Sequence, residues 1–216
     1  FIVSSNYDGL ICASLLSHYK NWKLVGYYDL ESIWVSNEAK KNKNNLIWLD
    51  LNILPRQGKC IGGHITSIKD EKLTGFDSSC NLNSLANVNS SNFSSKFPMS
   101  TALFLIWLFD ISIPKKLMAK MILLHSDSSW LKFQNYKNNF EYWMNALPGY
   151  NWDWLFRNVD SKTYERRIDE LLYPKLYSIN AISGFSKLKS KSISLQSREL
   201  ILNPDWDEDI ITNLFN

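Results

Sequence analysis

The stretch FIVSSNYDGLICASLL, residues 1–16, decides the fold. An apolar run from Phe1 to Val3 stops at small polar residues. Asp8 and Gly9 follow, and an amphipathic run then repeats Leu10, Ala13, Leu16 and Tyr19 at helical spacing. This reads as strand, tight turn, helix. Two roles are open to Asp8. It caps the helix that begins near Leu10, or it stands at the end of a strand to hold a metal or a phosphate.

The same rhythm continues outward. KLVGYYD, 23–29, reads as a second strand, and ESIWVSNEAKKN, 31–42, as a short helix or irregular crossover. NLIWLDLNI, 45–53, is a buried strand ending near Asp50, and GKCIGGHI, 58–65, is a fourth strand running into glycines. Strands alternating with helical segments predict an α/β, doubly wound parallel sheet with right-handed crossovers. The Ser- and Asn-rich segment 77–96 reads as a loop or linker. Beyond it the pattern turns helical: 98–109, 114–126, 128–147 and 161–177, with Pro174 ending or kinking the last. Residues 191–202 have strand character, and 203–215 read as a final helix with Asp205 as cap and Glu208 three residues on. The expected organisation is an α/β domain over 1–130, then a mainly helical region over 131–216 with a strand near 192–202.

Composition bounds the classes. The chain has 216 residues, 45% hydrophobic, enough for a large core and against disorder. A formal net charge of +3 neither argues for nucleic acid nor opposes it. Aromatic content is 14%, with nine Trp, most of them expected in the core. Cys12, Cys60 and Cys80 are odd in number and lack CxxC spacing, so they read as reduced thiols of a cytoplasmic protein. The strongest apolar run, Ala102 to Phe109, is far short of a membrane span, and no signal peptide is visible. Oligomeric state is not legible.

In an open parallel sheet, ligands bind beyond the carboxyl ends of the strands. Asp8, Asp50 and His64 fall there, and Asp127, with His125 two residues before it, is a fourth candidate. Acids and imidazoles converging from different strand ends suit Mn²⁺ or Mg²⁺. Each residue also has a plain role: Asp50 and His64 in turns, Asp127 as a helix-terminal cap, His125 in packing. Lys187, Lys189 and Lys191 beside Phe185, and Arg166 with Arg167, are a nucleic-acid surface or simply a solvated face.

The ordered set SSNYDGLICASLL (4–16), LIWLDLNI (46–53), CIGGHITSI (60–68), KFPMSTALFLIWLF (96–109) and LLHSDSS (123–129) resembles the DHH phosphoesterase superfamily. That family's motifs are Asp-x-Asp-Gly before a small-residue helix, a lone Asp after an apolar strand, Asp-His-His, and a further Asp after a Ser-Thr-Ala-like helix. The resemblance spans roughly residues 1–130. It implies a metal-dependent phosphoesterase acting on a nucleotide or nucleic-acid phosphodiester. Asp8, Asp50 and Asp127 would be metal ligands. Asp50 and His64 would be catalytic, His64 orienting a phosphate or water, with Asn6, Gly62 and Gly63 beside it on the substrate side. Two positions depart from the pattern: Asn6 replaces the first acid, and Gly62-Gly63-His64 replaces Asp-His-His. These departures leave one metal site at most. The family's second domain is not recognisable. The rival expectation is a catalytically degenerate member that serves as a binding or assembly module. Neither expectation involves a membrane.

Overall fold

Short segments, most of them apolar, build the sheet. Ile2–Ser4 (β1), Gly26–Tyr28 (β2), Ile33–Val35 (β3), Ile47–Leu49 (β4), Lys59–Gly62 (β5) and Ser79–Asn81 (β6) align in the order β3-β2-β1-β4-β5-β6. Every neighbouring pair is parallel except β2 with β3. The computed structural model describes residues 1–29, 31–51, 59–67, 69, 74–189 and 196–202, with the backbone alone at 185–189, 196–199 and 201–202. The fold is α/β: a mixed, mostly parallel six-stranded sheet with flanking helices, followed by a mainly helical C-terminal region.

Helix α1 (Tyr7–Lys20) follows β1 directly, and every residue from Tyr7 to Leu16 is buried. A helix that is buried on all sides needs apolar residues all round. Leu10, Ile11, Leu15 and Leu16 are each fully buried, and each contributes about 1.5–3 kcal/mol relative to exposure. The helix starts so close to the sheet that a Cβ on Gly9 would lie 1.8 Å from the Ser4 carbonyl oxygen. Only glycine allows that approach.

Between β3 and β4 lies α2 (Asn37–Lys41), and after β6 comes the short α3 (Leu82–Leu85). Helix α4 (Thr101–Leu108) is buried from Thr101 to Ile106 and packs on α1. The C-terminal helices are α5 (Leu117–His125), α6 (Ser129–Asn135), α7 (Lys137–Ala146), α8 (Trp152–Phe156), α9 (Ser161–Arg167) and α10 (Tyr173–Ser178). One buried apolar cluster runs from Phe1 to Ile182 through both parts. An antiparallel pair closes the described chain: β7 (Ile182–Lys189) and β8 (Gln196–Leu202). Among the described residues, no helix is long and apolar enough to cross a membrane.

Several segments differ from their sequence reading. Segment 31–42 contains the antiparallel edge strand β3 as well as helix α2. The Ser- and Asn-rich segment 77–96 holds β6, α3 and a 3₁₀ stretch at Ser90–Ser95. Its Asn residues act as caps: Asn81 accepts from the Asn83 and Ser84 N–H groups, and Asn89 from Ser91. Pro174 neither ends nor breaks its helix. A π-helical turn, Ile168–Leu172, precedes it, with Tyr173 N–H bonded to Ile168 O. The wider turn absorbs the donor and the space that proline removes. The helix expected over 203–215, with Asp205 and Glu208, lies outside the described residues, as do Lys191 and the side chains of Phe185, Lys187 and Lys189.

Candidate metal centre

The chain runs outward in one direction from β1 to β2 and in the other from β4 to β6, so the order reverses between β1 and β4. Such a switch point opens a crevice beyond the strand ends. Asp8 follows β1, Asp50 follows β4, and His64 follows β5. One ligand atom from each of the three lies within 4.8 Å of the others.

Asp8 is buried, and its carboxylate is held by a helix far along the chain. Oδ2 accepts from Thr101 N–H at 2.7 Å, and Oδ1 from Ala102 N–H at 3.0 Å and from Ser126 Oγ at 2.5 Å. These amides are the first of α4, where unpaired N–H groups and the helix dipole favour an anion. Asp8 therefore serves a helix start, but that of α4, where it takes the Thr101 and Ala102 amides while the N-cap Ser100 takes Leu103 N–H. The cap of α1 is Asn6, whose Oδ1 accepts from Gly9 N–H at 2.7 Å.

Asp50 takes a left-handed backbone conformation, φ 63°, which Asp tolerates better than most residues. Its Oδ2 accepts from Ser4 Oγ at 2.7 Å and Asn6 Nδ2 at 3.0 Å. Its Oδ1 accepts from Thr101 Oγ1 at 2.8 Å and lies 3.1 Å from His64 Nε2. Thr101 thus touches both acids, through its amide to Asp8 and its hydroxyl to Asp50. His64 Nε2 also stands 3.8 Å from Asp127 Oδ2, and Asp127 pairs with Lys132.

Charge follows this geometry. Burial, then the charges of Asp50 and Asp127, push the Asp8 carboxyl up to about 7, against the Ser126 bond and the His64 charge. Burial alone would raise Asp50. The hydrogen bond and charge of His64, with Ser4 and Asn6, outweigh burial and hold Asp50 below its ordinary value. Burial would lower His64, yet its bond to Asp50 and the charges of Asp127, Asp50 and Asp8 raise it. His64 is thus the internal counter-charge of the acids.

The donor set fits a hard or borderline divalent cation by type and spacing: two carboxylates and an imidazole. Asp8 Oδ2 has one lone pair beyond its bond to Thr101. His64 Nε2 would exchange its proton for the cation, which relieves its hold on Asp50 Oδ1.

The structure brings Asp8, Asp50 and His64 into one group, with Asn6 bonded to it and Asp127 at its edge through His64. Gly62 ends β5, and Gly63 faces the Phe97 ring. His125 lies apart in an aromatic contact between Tyr7 and Tyr173. Sequence reasoning assigned no site role to Ser4, Thr101 or Ser126. The one signal available was the Ser100-Thr101-Ala102 start of α4.

Fold and site together define an α/β protein with a partly buried Asp/Asp/His group able to hold a metal. Compared with known proteins, the chain matches no family model, no curated protein and no solved structure.

Proposed function

We propose that this chain is a divergent, DHH-like phosphoesterase using a single Mn²⁺ or Mg²⁺ on a nucleotide or nucleic-acid phosphodiester. One observation carries the reading: Asp8, Asp50 and His64 converge within 4.8 Å at the switch point of a mostly parallel sheet. When bound, the cation would polarise a phosphoryl oxygen and acidify a water. The chain does the rest. Thr101 fixes both carboxylates, so their oxygens hold position without reorganising. Neutral His64 holds the cation, and the open edge toward Asp127 is where a phosphate or water meets the site. Asn6 keeps Asp50 turned inward.

Calorimetric titration with Mn²⁺, joined to hydrolysis of bis(4-nitrophenyl) phosphate and short oligonucleotides, tests this. Stoichiometric Mn²⁺ binding and metal-dependent turnover are expected. Absence of both overturns the enzyme reading.

A second reading is a catalytically silent binding or assembly module. Asn6 favours it: a neutral amide donates to Asp50 at 3.0 Å, where the family's pattern has another acid. Mn²⁺ binding without turnover on any phosphodiester would select this reading.

A further inference from the structure

One wall beside the metal centre carries positive charge that the acids do not absorb. Its backbone is fixed against the residue preceding His64. Phe97 N–H donates to Asn83 Oδ1 at 2.7 Å, and Asn83 Nδ2 donates to the Gly63 carbonyl. Asn83 is fully buried, so it ties segment 96–97 to the β5 turn. The Phe97 ring fills the space over Gly63, where a Cβ would lie 2.5 Å from Cδ1. From the other side, Asn139 Nδ2 donates to Lys96 O at 2.7 Å and Trp143 Nε1 to Ser95 O at 2.8 Å. The main chain at Lys96 is therefore clamped on both sides.

The Lys96 side chain is spent on none of this. It is half-buried, its ammonium lies 5.5 Å from the centroid of the Phe93 ring, and among the described residues no carboxylate stands within ion-pair distance of it, although the Asp127 charge acts on it. Burial, and then the charge of nearby Lys132, loosen its hold on its proton. Lys132 itself pairs with Asp127, which reaches His64. His64 thus stands against Asp50 and Lys132 against Asp127, and the Lys96 ammonium is left without an ion-pair partner among the described residues. A divalent cation would add to this positive charge, but the Lys96 charge is there without it. Phe93 is 54% exposed even with the Lys96 ammonium over its ring, so much of its apolar surface is in reach of a partner from solvent.

We propose that Lys96 and Lys132 form an anion subsite for a phosphate of the bound phosphoester, with Phe93 as the platform on which the adjoining base stacks. The subsite rests on the phosphoesterase reading for the fate of that phosphate, but binding there requires no metal. Lys132 pairs with Asp127 and, through it, reaches His64; Lys96 lies close enough to feel the charges of Lys132 and Asp127. Stacking is sequence-tolerant, and lysines read only charge, so the subsite would not discriminate between bases.

The test uses metal-free full chain, a fluorescein-labelled pentathymidylate read by anisotropy, and inorganic pyrophosphate read by calorimetry. Wild-type protein is expected to bind the oligonucleotide with strong salt dependence. Lys96→Ala should weaken it about tenfold and lower the log–log salt slope by about 0.7, one single-strand phosphate contact. Lys96→Arg should retain most of the affinity, which a packing role alone would not predict. Phe93→Ala should cost about tenfold on the oligonucleotide and leave pyrophosphate within twofold. Circular dichroism verifies that each variant is folded. Wild-type protein that binds neither probe, or Lys96→Ala and Phe93→Ala both within twofold of it, overturns the subsite. Equal loss of both probes in Lys96→Ala, with none in Phe93→Ala, overturns the base platform and assigns the subsite to free phosphates. Oligonucleotide binding that follows these variants without turnover under Mn²⁺ sustains the subsite and counts against the phosphoesterase alone.

Discussion

Asn6 Nδ2 donates to Asp50 Oδ2 at 3.0 Å, while Asn6 Oδ1 caps helix α1 through Gly9 N–H at 2.7 Å. One amide therefore does two jobs that a carboxylate could not do together without a cation. As acceptor it starts a helix, and as donor it neutralises an acid from another strand. The site holds together without metal because residue 6 is a donor toward Asp50.

Asn6→Asp exposes the trade. Asp caps as well as Asn, so α1 keeps its start. The contact with Asp50 turns repulsive, and metal-free protein should lose about 2 kcal/mol in urea unfolding. Mn²⁺ affinity should rise at least about tenfold, since a carboxylate is added beside Asp50. Calorimetry that shows no gain in Mn²⁺ affinity would place the cation, if any, away from residue 6.

Asp8 is the second test, and stability is its readout. Asp8→Ala leaves Thr101 N–H, Ala102 N–H and the Ser126 hydroxyl without their acceptor. The expected cost is about 3–5 kcal/mol in urea unfolding. Thr101→Val keeps the amide to Asp8 and removes only the hydroxyl to Asp50, so about 1–2 kcal/mol is expected. Equal losses in the two variants would contradict a clamp centred on Asp8.

How much of this was legible depended on where each contact lies along the chain. Asp8-Gly9 could be read because strand, turn and helix are adjacent, and a helix this close to its strand needs glycine. Asp50 and His64 could be read because each follows a short apolar run. Thr101 and Ser126 reach Asp8 across 93 and 118 residues, and no local pattern encodes such an approach. Strand β3 shares its run with helix α2, and three residues give no periodicity that would separate the two. β6 is Ser-Cys-Asn, which pairs through backbone that any composition supplies.

The Gly63–Phe97 contact predicts a coupled pair. Gly63→Ala puts a methyl 2.5 Å from Phe97 Cδ1, and about 1–3 kcal/mol should be lost to overpacking. Phe97→Ala alone should cost about 3–5 kcal/mol as a cavity. In the Phe97→Ala background, Gly63→Ala should cost less than about 0.5 kcal/mol, a coupling typical of touching residues. Additive losses would mean that the ring does not set the requirement for glycine.

The last prediction concerns protons. Asp8 moves from the ordinary 3.8 to about 7 in the folded protein, so its proton stabilises the fold fully below about 3.8, and that stability is lost as pH rises through about 7. Asp8→Asn has no such proton. Its deficit relative to wild type should be largest near pH 4 and shrink toward pH 8, measured by urea unfolding without metal. His64 acts in the same direction: raised above 6.5, its contribution is full below that value and lost as pH climbs past its folded pKa. Asp50, held below 3.8, contributes above that value and loses its contribution only in stronger acid. Mn²⁺ must displace the protons of both Asp8 and His64 to bind, so its affinity should rise by up to about a hundredfold per pH unit below pH 7. The rise should flatten once the pH has passed the folded pKa of both groups. A Kd for Mn²⁺ that is flat from pH 6 to 8 would mean that the cation uses neither residue.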